Sequence, residues 1–234
     1  MGAIFRREVR SYFTSPIGYI FLAAFYAYTG IMFSSYSLES GYTKLDSLFG
    51  SLLIIIVVLV PILTMRTISE EKRSKTDQCL LTAPVGLGSI VLGKFLAAFL
   101  IYLLAVSITV VLAVVVSVYG SPDWNVVVGN IVALALVGGA YISIGILCSS
   151  FTENQVVSAV SSFIALLLCS FLSTIANILP FDWLQAACGK ISFGERYYSF
   201  TYGVFDFSNV VFFISAVAVF LFLTVRVLEK RRWS

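Results

Sequence analysis

The clearest chemical signature in the sequence is a glycine-containing stretch that ends in a lysine. Residues 88–94 have the spacing GxxxxGK, which in nucleotide-binding loops places backbone amides and a lysine around phosphate groups. Phe95 follows where those loops carry the Ser or Thr that binds Mg²⁺, and the stretch opens a long apolar run instead of following a strand. We therefore predict that this chain binds no nucleotide. Gly93 and Lys94 are expected to begin a helix, with the lysine as a basic anchor at a membrane surface.

The side chains needed for metal, redox or hydrolytic chemistry are sparse. The chain has no histidine, and its four cysteines (Cys79, Cys148, Cys169 and Cys188) are widely spaced without a CxxC pair. This pattern argues against a zinc site, a redox motif and a disulfide framework. The sequence also lacks GxSxG and HExxH. We expect no catalytic residue and no cofactor or metal bound by this chain, so the protein is predicted not to be an enzyme.

The composition is typical of a membrane protein. Of the 234 residues, 59% are hydrophobic and 12% are charged, whereas about 25% of a soluble domain is charged. Six apolar segments contain no Asp, Glu, Lys or Arg, and they lie at residues 17–36, 48–64, 95–118, 126–148, 156–179 and 209–225. Most have the roughly 17–25 residues that a helix needs to cross the hydrocarbon core. Their continuous apolar character excludes a β-barrel, whose strands alternate. We predict an all-α integral membrane protein with six transmembrane helices in a single domain, residues 1–234.

The distribution of basic residues predicts the orientation of this bundle. With the N-terminus in the cytosol, 12 of the 15 lysines and arginines fall on the cytosolic side: Arg6, Arg7, Arg10, Arg66, Lys72, Arg73, Lys75, Lys94, Arg226, Lys230, Arg231 and Arg232. Only Lys44, Lys190 and Arg196 fall on the other side. Because loops rich in Lys and Arg are retained in the cytosol, both termini are predicted to be cytosolic.

Two segments outside the spans have patterns of their own. Residues 4–14 predict an amphipathic helix in the inner interface, with membrane lipid as its partner; the alternative is an extension of the first span. Its apolar positions are Phe5, Val9, Tyr12 and Phe13, its basic ones are Arg6, Arg7 and Arg10, and Pro16 ends it. Residues 180–208 are long and aromatic, which favours either short re-entrant helices between spans five and six or an ordinary aromatic belt.

The absence of charge within the predicted spans bears on the source of energy. Carriers driven by protons or sodium usually keep buried ionisable groups despite their cost. A bundle without them must be driven from outside, and the segment between spans two and three offers a surface for a partner. There Thr67 and Glu70 have the spacing of a capping box, followed by mixed charges and by Leu80 and Leu81. A short helix of this kind can dock into a groove on a soluble protein, although a solvated loop would have the same composition.

This segment also has a recognisable pattern that ends at Gly93 and Lys94. The residues that carry it are Arg66, Ile68, Ser69, Glu70, Glu71, Lys72, Arg73, Thr76, Leu80, Leu81, Thr82, Ala83, Pro84 and Val85. The pattern resembles the signature of ATP-binding-cassette exporter permeases of the second type. Residues 5–8, 15–19, 202–207 and 220–224 are similar to the gliding-motility-type branch of that family, so the resemblance covers essentially the whole chain.

The resemblance implies a permease subunit in the plasma (inner) membrane of a bacterium. Two permease chains, identical or homologous, would sit on two ATPase subunits that bind ATP and Mg²⁺, and a large auxiliary membrane protein is a further possible partner; no nucleic acid is expected. A coupling helix would fall within residues 74–82. The residues assigned to ATPase docking and coupling are Glu70, Glu71, Lys72, Arg73, Thr76, Leu80, Leu81 and Pro84. Independently of the resemblance, the position of Pro61 makes it a candidate hinge in span two, and a tolerated structural proline is the alternative. A non-transport membrane scaffold that docks soluble and extracytoplasmic partners is the alternative function.

Overall fold

The computed structural model describes residues 2–38, 46–76, 86–119, 123–176, 185, 188–189, 191–201 and 206–232. Every long element in these ranges is an α-helix, and they contain no strand. The helices are α1 (Gly2–Thr14), α2 (Pro16–Phe33), α3 (Asp46–Thr64), α4 (Ser69–Arg73), α5 (Leu87–Tyr119), α6 (Trp124–Phe151), α7 (Gln155–Ala176), α8 (Phe193–Thr201) and α9 (Phe207–Arg232). One π-helical turn, Ser34–Leu38, continues α2.

Six of the described helices, α2, α3, α5, α6, α7 and α9, are long and apolar enough to cross a membrane, which confirms the all-α membrane fold and its six spans. Large apolar side chains on their outward faces are exposed, as expected where lipid is the solvent: Ile20, Ile31, Val111, Val157, Ile214 and Phe222. The helices extend beyond the predicted apolar segments. Helix α5 has 33 residues and begins at Leu87, eight residues before the predicted span.

The N-terminal helix is separate from the first span. The Ser15 hydroxyl accepts a hydrogen bond from the amide of Ile17, and Pro16 occupies the first turn of α2, where its missing N–H is harmless. Gly18 allows α1 to turn closely onto α2, because a Cβ there would lie 2.6 Å from the Tyr12 carbonyl oxygen. The predicted break at Pro16 is confirmed, and α1 packs against α5 and α2 instead of lengthening the first span.

Helix α6 forms the centre of the bundle and contacts α3, α5, α7, α8 and α9. Its small residues permit this close packing. A Cβ on Gly138 would overlap the Tyr102 ring, and one on Gly145 would overlap the Thr64 hydroxyl. By contrast, Gly129 near the start of α6 has no neighbour within 4 Å of the corresponding position. Gly138 and Gly145 therefore have a packing role in α6.

Short helix α8, between the fifth and sixth spans, is inserted among α3, α6 and α7. Its Phe193 ring stacks on Tyr141 with a centroid distance of 5.9 Å. The Tyr197 hydroxyl donates a 2.7 Å hydrogen bond to the Phe49 carbonyl in α3. This element is therefore a helix that re-enters the bundle, as predicted. Most of residues 180–190 lie outside the described residues.

Candidate functional site

A cluster of charged side chains lies at the end of the bundle that carries α1, α4 and the last turn of α9; we call this the basic end. At its centre is Lys94 in α5, with only 2% of its side chain exposed. The Lys94 ammonium donates to Glu71 at 2.9 Å, to Glu8 at 3.1 Å and to the Thr67 carbonyl at 2.8 Å. The prediction that Gly93 and Lys94 begin a helix is wrong, because α5 begins at Leu87. The Lys94 ammonium also does not face the headgroups as an anchor would, because all its donors turn inward to protein oxygens.

Arg7 completes the group, which we call the Lys94 cluster (Arg7, Glu8, Glu71 and Lys94). Its guanidinium donates to Glu8 at 2.8 Å and to Glu71. Partial burial would lower the pKa of Arg7, but the two carboxylates outweigh it and raise the pKa above its ordinary value. Two cations and two anions compensate one another, so ion pairs join α1, α4 and α5; Lys94 is buried in this cluster and Arg7 is at its exposed edge.

The approach of α1 to α5 depends on a small residue beside Lys94. A Cβ on Gly93 would lie 3.1 Å from the Ile4 side chain and 3.6 Å from the Phe5 amide nitrogen. The Gly-Lys pair therefore brings α1 close and supplies the charge that pairs with it. The contacts of Gly93 and Lys94 with α1 thus account for this pair of residues without a role in binding phosphate.

Tyr12 lies beneath the cluster at the end of α1. Its hydroxyl donates a 3.1 Å hydrogen bond to the Leu63 carbonyl at the end of α3. Burial raises the pKa of Tyr12 to about 12, because the phenolate would have to form away from water. Tyr12 therefore stays neutral and links α1 to the second span.

The turn that connects α3 to α4 is also bound to its surroundings by polar contacts. Arg66 forms two hydrogen bonds with Glu70, of 2.5 and 2.6 Å, and one of 2.7 Å with the Ser15 hydroxyl. The predicted capping box is wrong: the Thr67 hydroxyl donates to the carbonyl of Thr64, and α4 begins after Ile68 without a side-chain cap of its own. Arg66 takes the carboxylate that the capping box required.

Helix α6 supplies the missing cap. The Ser149 hydroxyl accepts the amides of Ile68 and Ser69 at 3.1 and 3.0 Å. In return, the buried Lys72 ammonium donates to the Ser150 carbonyl at the end of α6. A hydroxyl at a helix N-terminus and a cation at a helix C-terminus are both favourable. We call this reciprocal arrangement the α4–α6 clamp (Ser149, Ser150, Lys72 and the Ile68 and Ser69 amides).

A cavity of about 400 Å³ opens beside these contacts and is lined by polar groups from α1, α4 and α5. The charged side chains that line it are paired with one another: Arg7, Glu8, Arg66, Glu70, Glu71 and Lys94. Within the described ranges no group of three or more His, Cys, Asp or Glu could hold a metal ion. The polar contacts of this end therefore connect α1, the α3–α4 turn, α4, α5 and α6.

Comparison with protein families identifies the chain. The family model described as ABC-2 family transporter protein matches residues 4–233. The chain belongs to this family. It is therefore a multi-pass permease of an ATP-binding-cassette transporter, and membership implies association with an ATP-binding-cassette ATPase. No curated protein matches the sequence.

The structure divides the docking residues predicted for this ABC-2 permease into three groups. Glu71 and Lys72 point inward, to the Lys94 cluster and the α4–α6 clamp respectively, whereas Glu70 is partly exposed and pairs with Arg66. Arg73 and Thr76 are exposed. Leu80, Leu81 and Pro84 lie outside the described residues. Glu70, Glu71 and Lys72 thus have partners within the permease, and the docking of all these residues on an ATPase stays a prediction.

In α1 of the permease, Tyr12 is buried, Phe5 and Val9 are half-buried, and Arg6 and Arg10 are exposed, as the amphipathic pattern predicts. Two positions differ. Arg7 joins the Lys94 cluster, and Phe13 is 38% exposed with its ring edge against Tyr19. Pro61, the candidate hinge, is buried inside α3, four residues before the turn to α4.

The sequence analysis of the permease missed Glu8 and Ser149. Glu8 had a usable signal: it lies four residues from both Ile4 and Tyr12, which places an acid on the packing face of α1 and requires a cation opposite. Ser149 had none, because serines are ordinary in transmembrane helices and its partners lie about eighty residues away in the chain.

Proposed function

We propose that this chain is the membrane subunit of an exporter powered by separate ATP-binding-cassette ATPase subunits. The basic end faces the cytosol of a bacterium, both termini lie there, and the surrounding membrane is the inner membrane. Two permease chains pair over two ATPases. The family match over residues 4–233 supports this proposal, and the similarity of residues 5–8, 15–19 and 202–207 favours the gliding-motility-type branch and an auxiliary membrane subunit.

The observation that carries the mechanism is the way α4 is bound into the bundle. Three described elements hold it: α1 and α5 through the Lys94 cluster, and α6 through the α4–α6 clamp. The predicted coupling helix, residues 74–82, begins directly after α4. Displacement of that helix by an ATPase would therefore act on α1, α5 and α6 together. In this mechanism Pro61 provides the point at which α3 bends.

Substitution in the coupling segment tests the docking assignment. The variant Leu80→Asp with Leu81→Asp places two charges where an apolar contact is proposed, whereas Leu80→Ile with Leu81→Ile keeps the site apolar. The tagged permease is purified from its native membranes, and co-purified proteins are identified by mass spectrometry with ATP hydrolysis measured. We expect the ATPase to remain with wild type and the Ile pair and to be lost from the Asp pair. Retention by the Asp pair overturns the docking assignment.

The same preparation separates a transporter from a scaffold. An exporter subunit couples hydrolysis to its bundle, so the Asp pair should also lower the ATP turnover of membranes. A scaffold would bind soluble proteins without any effect on ATP hydrolysis. Wild-type complexes that lack an ATPase altogether would favour the scaffold.

Labelling with a membrane-impermeant maleimide tests the orientation. In a cysteine-free background, Thr76→Cys reports on the basic end and Asp123→Cys reports on the opposite end; both positions are exposed. We expect Asp123→Cys to react in intact cells and Thr76→Cys only after lysis. The reverse pattern would place the coupling segment outside the cell and contradict the proposed function.

A further inference from the structure

An apolar groove runs along the lipid-facing side of α5, beside α1. It has a volume of about 470 Å³ and is lined by Gly2, Phe5, Leu96, Phe99, Leu100 and Leu103. The leucines recur at positions i, i+4 and i+7, so they form one stripe that rises about 10 Å along the helix from Leu96. Phe99 forms a fixed floor, since its ring stacks on Phe95 at 5.7 Å.

A second depression of about 630 Å³ adjoins this groove at its basic end. It shares Gly2 and Phe5 with the groove and adds Arg6, Val9 and Arg10. Arg6 and Arg10 lie one helical turn apart and are exposed. Across the part of the chain that the structure describes, neither forms an ion pair, whereas Arg7 on the same helix pairs with Glu8 and Glu71. Two guanidinium groups without an ion-pair partner among the described residues thus line a depression next to the apolar groove.

The position of α1 along α5 corresponds to the headgroup region of a bilayer. Helix α5 has 33 residues and is about 50 Å long, against about 30 Å of hydrocarbon. Its contact with α1 at Gly93 lies about 9 Å in from its first residue. The arginines therefore lie near the boundary of the membrane, and the groove extends from them toward the membrane centre.

We propose that this groove binds an anionic glycerophospholipid of the bilayer, with its phosphate between Arg6 and Arg10 and one acyl chain along Leu96, Leu100 and Leu103. Charge complementarity favours a lipid over a second copy of the chain. At the basic end, the carboxylates that the described residues expose are already paired: Glu70 with Arg66, Glu153 with Arg231, and Glu229 with Arg226. From the described residues of this end, a second copy would bring only acids that are already paired, whereas a phosphodiester brings an unpaired negative charge.

The test is native mass spectrometry of the full chain released from nanodiscs of phosphatidylcholine and phosphatidylglycerol at four to one. Wild type is expected to retain phosphatidylglycerol preferentially. Arg6→Gln with Arg10→Gln should reduce that preference about fivefold for each charge, or about 25-fold for the pair. The matched control, Arg226→Gln with Lys230→Gln, removes two exposed charges of the same end away from the groove and should leave the preference unchanged.

Filling the groove provides an independent test. Leu103→Trp occupies its inner end and should release both lipids, whereas Leu104→Trp alters a neighbouring side chain that is equally exposed, 40% in each case, but does not line the groove. Equal lipid retention by Leu103→Trp and Leu104→Trp overturns the proposal. So does an equal loss of preference in the two charge pairs. A change of oligomeric state in Leu103→Trp with unaltered lipid retention would show that a second chain occupies the groove instead.

Discussion

Replacement of Lys94 by methionine is the sharpest test of the buried cluster. The methionine side chain is of similar length but has no charge and no donor, so Glu8, Glu71 and the Thr67 carbonyl lose a partner that now lies 2.8–3.1 Å away. Breaking a buried ion pair by removing one member costs about 3–5 kcal/mol, because the remaining charge is left uncompensated. Arg7 still faces both carboxylates, and we therefore expect the lower end of that range, about 3 kcal/mol.

The free energy of unfolding is measured by titrating the purified chain from mild detergent into dodecyl sulfate, with circular dichroism as the signal. The control is Arg226→Met, which removes a pair whose side chains are 62% and 40% exposed and should cost less than about 1 kcal/mol. Lys94→Met combined with Glu8→Gln and Glu71→Gln removes the buried charges together, so most of the lost stability should return. A cost for Lys94→Met no greater than that of Arg226→Met would refute the reasoning.

Three further outcomes follow from the packing and the polar contacts. Gly145→Ala should destabilise the bundle by about 1–3 kcal/mol, because the added methyl group overlaps Thr64 in α3. In the same titration, Gly129→Ala in the same helix should be neutral or slightly stabilising. Equal effects of the two substitutions would contradict the assigned contact. Because the pKa of Tyr12 is raised to about 12, its contribution is full below pH 10 and is lost as pH rises through 12. The loss is about 3 kcal/mol, and Tyr12→Phe should abolish it; an unchanged pH profile in Tyr12→Phe would argue against this origin. Ser149→Ala should remove the cap of α4, costing about 1 kcal/mol and speeding amide hydrogen exchange there but not in α9; unchanged exchange in α4 would show that another group caps it.

The number and positions of the spans could be predicted because each apolar run satisfies its own requirement for lipid, independently of the others. The break at Pro16 was equally local. The start of α5 was not, because residues 87–94 include a lysine whose charge is neutralised by residues in α1 and α4. Hydropathy places such a residue at the membrane surface, and only tertiary packing provides the buried alternative.

The candidate site likewise combines features that the local sequence predicts with contacts that depend on tertiary packing. Composition singled out the charged segment that begins at Arg66, but it did not indicate which of its charged side chains form contacts within the protein. Glu71 and Lys72 are adjacent in the chain but enter different contacts, with α5 and α6 respectively. That outcome depends on how α4 lies against the bundle, and the cap that orients α4 comes from a serine about eighty residues further along.

This long separation has a consequence for biogenesis. The chain is synthesised from its N-terminus, so Glu8, Glu71 and Lys94 are all available once the third span has been made. The Ile68 and Ser69 amides gain their acceptor only when Ser149, about eighty residues beyond them at the end of the fourth span, has been made. A permease truncated before Ser149 would thus lack the hydroxyl that caps α4. Membrane insertion of the first four spans is therefore the earliest stage at which a nascent chain could hold α4 in the position that it has in the folded permease.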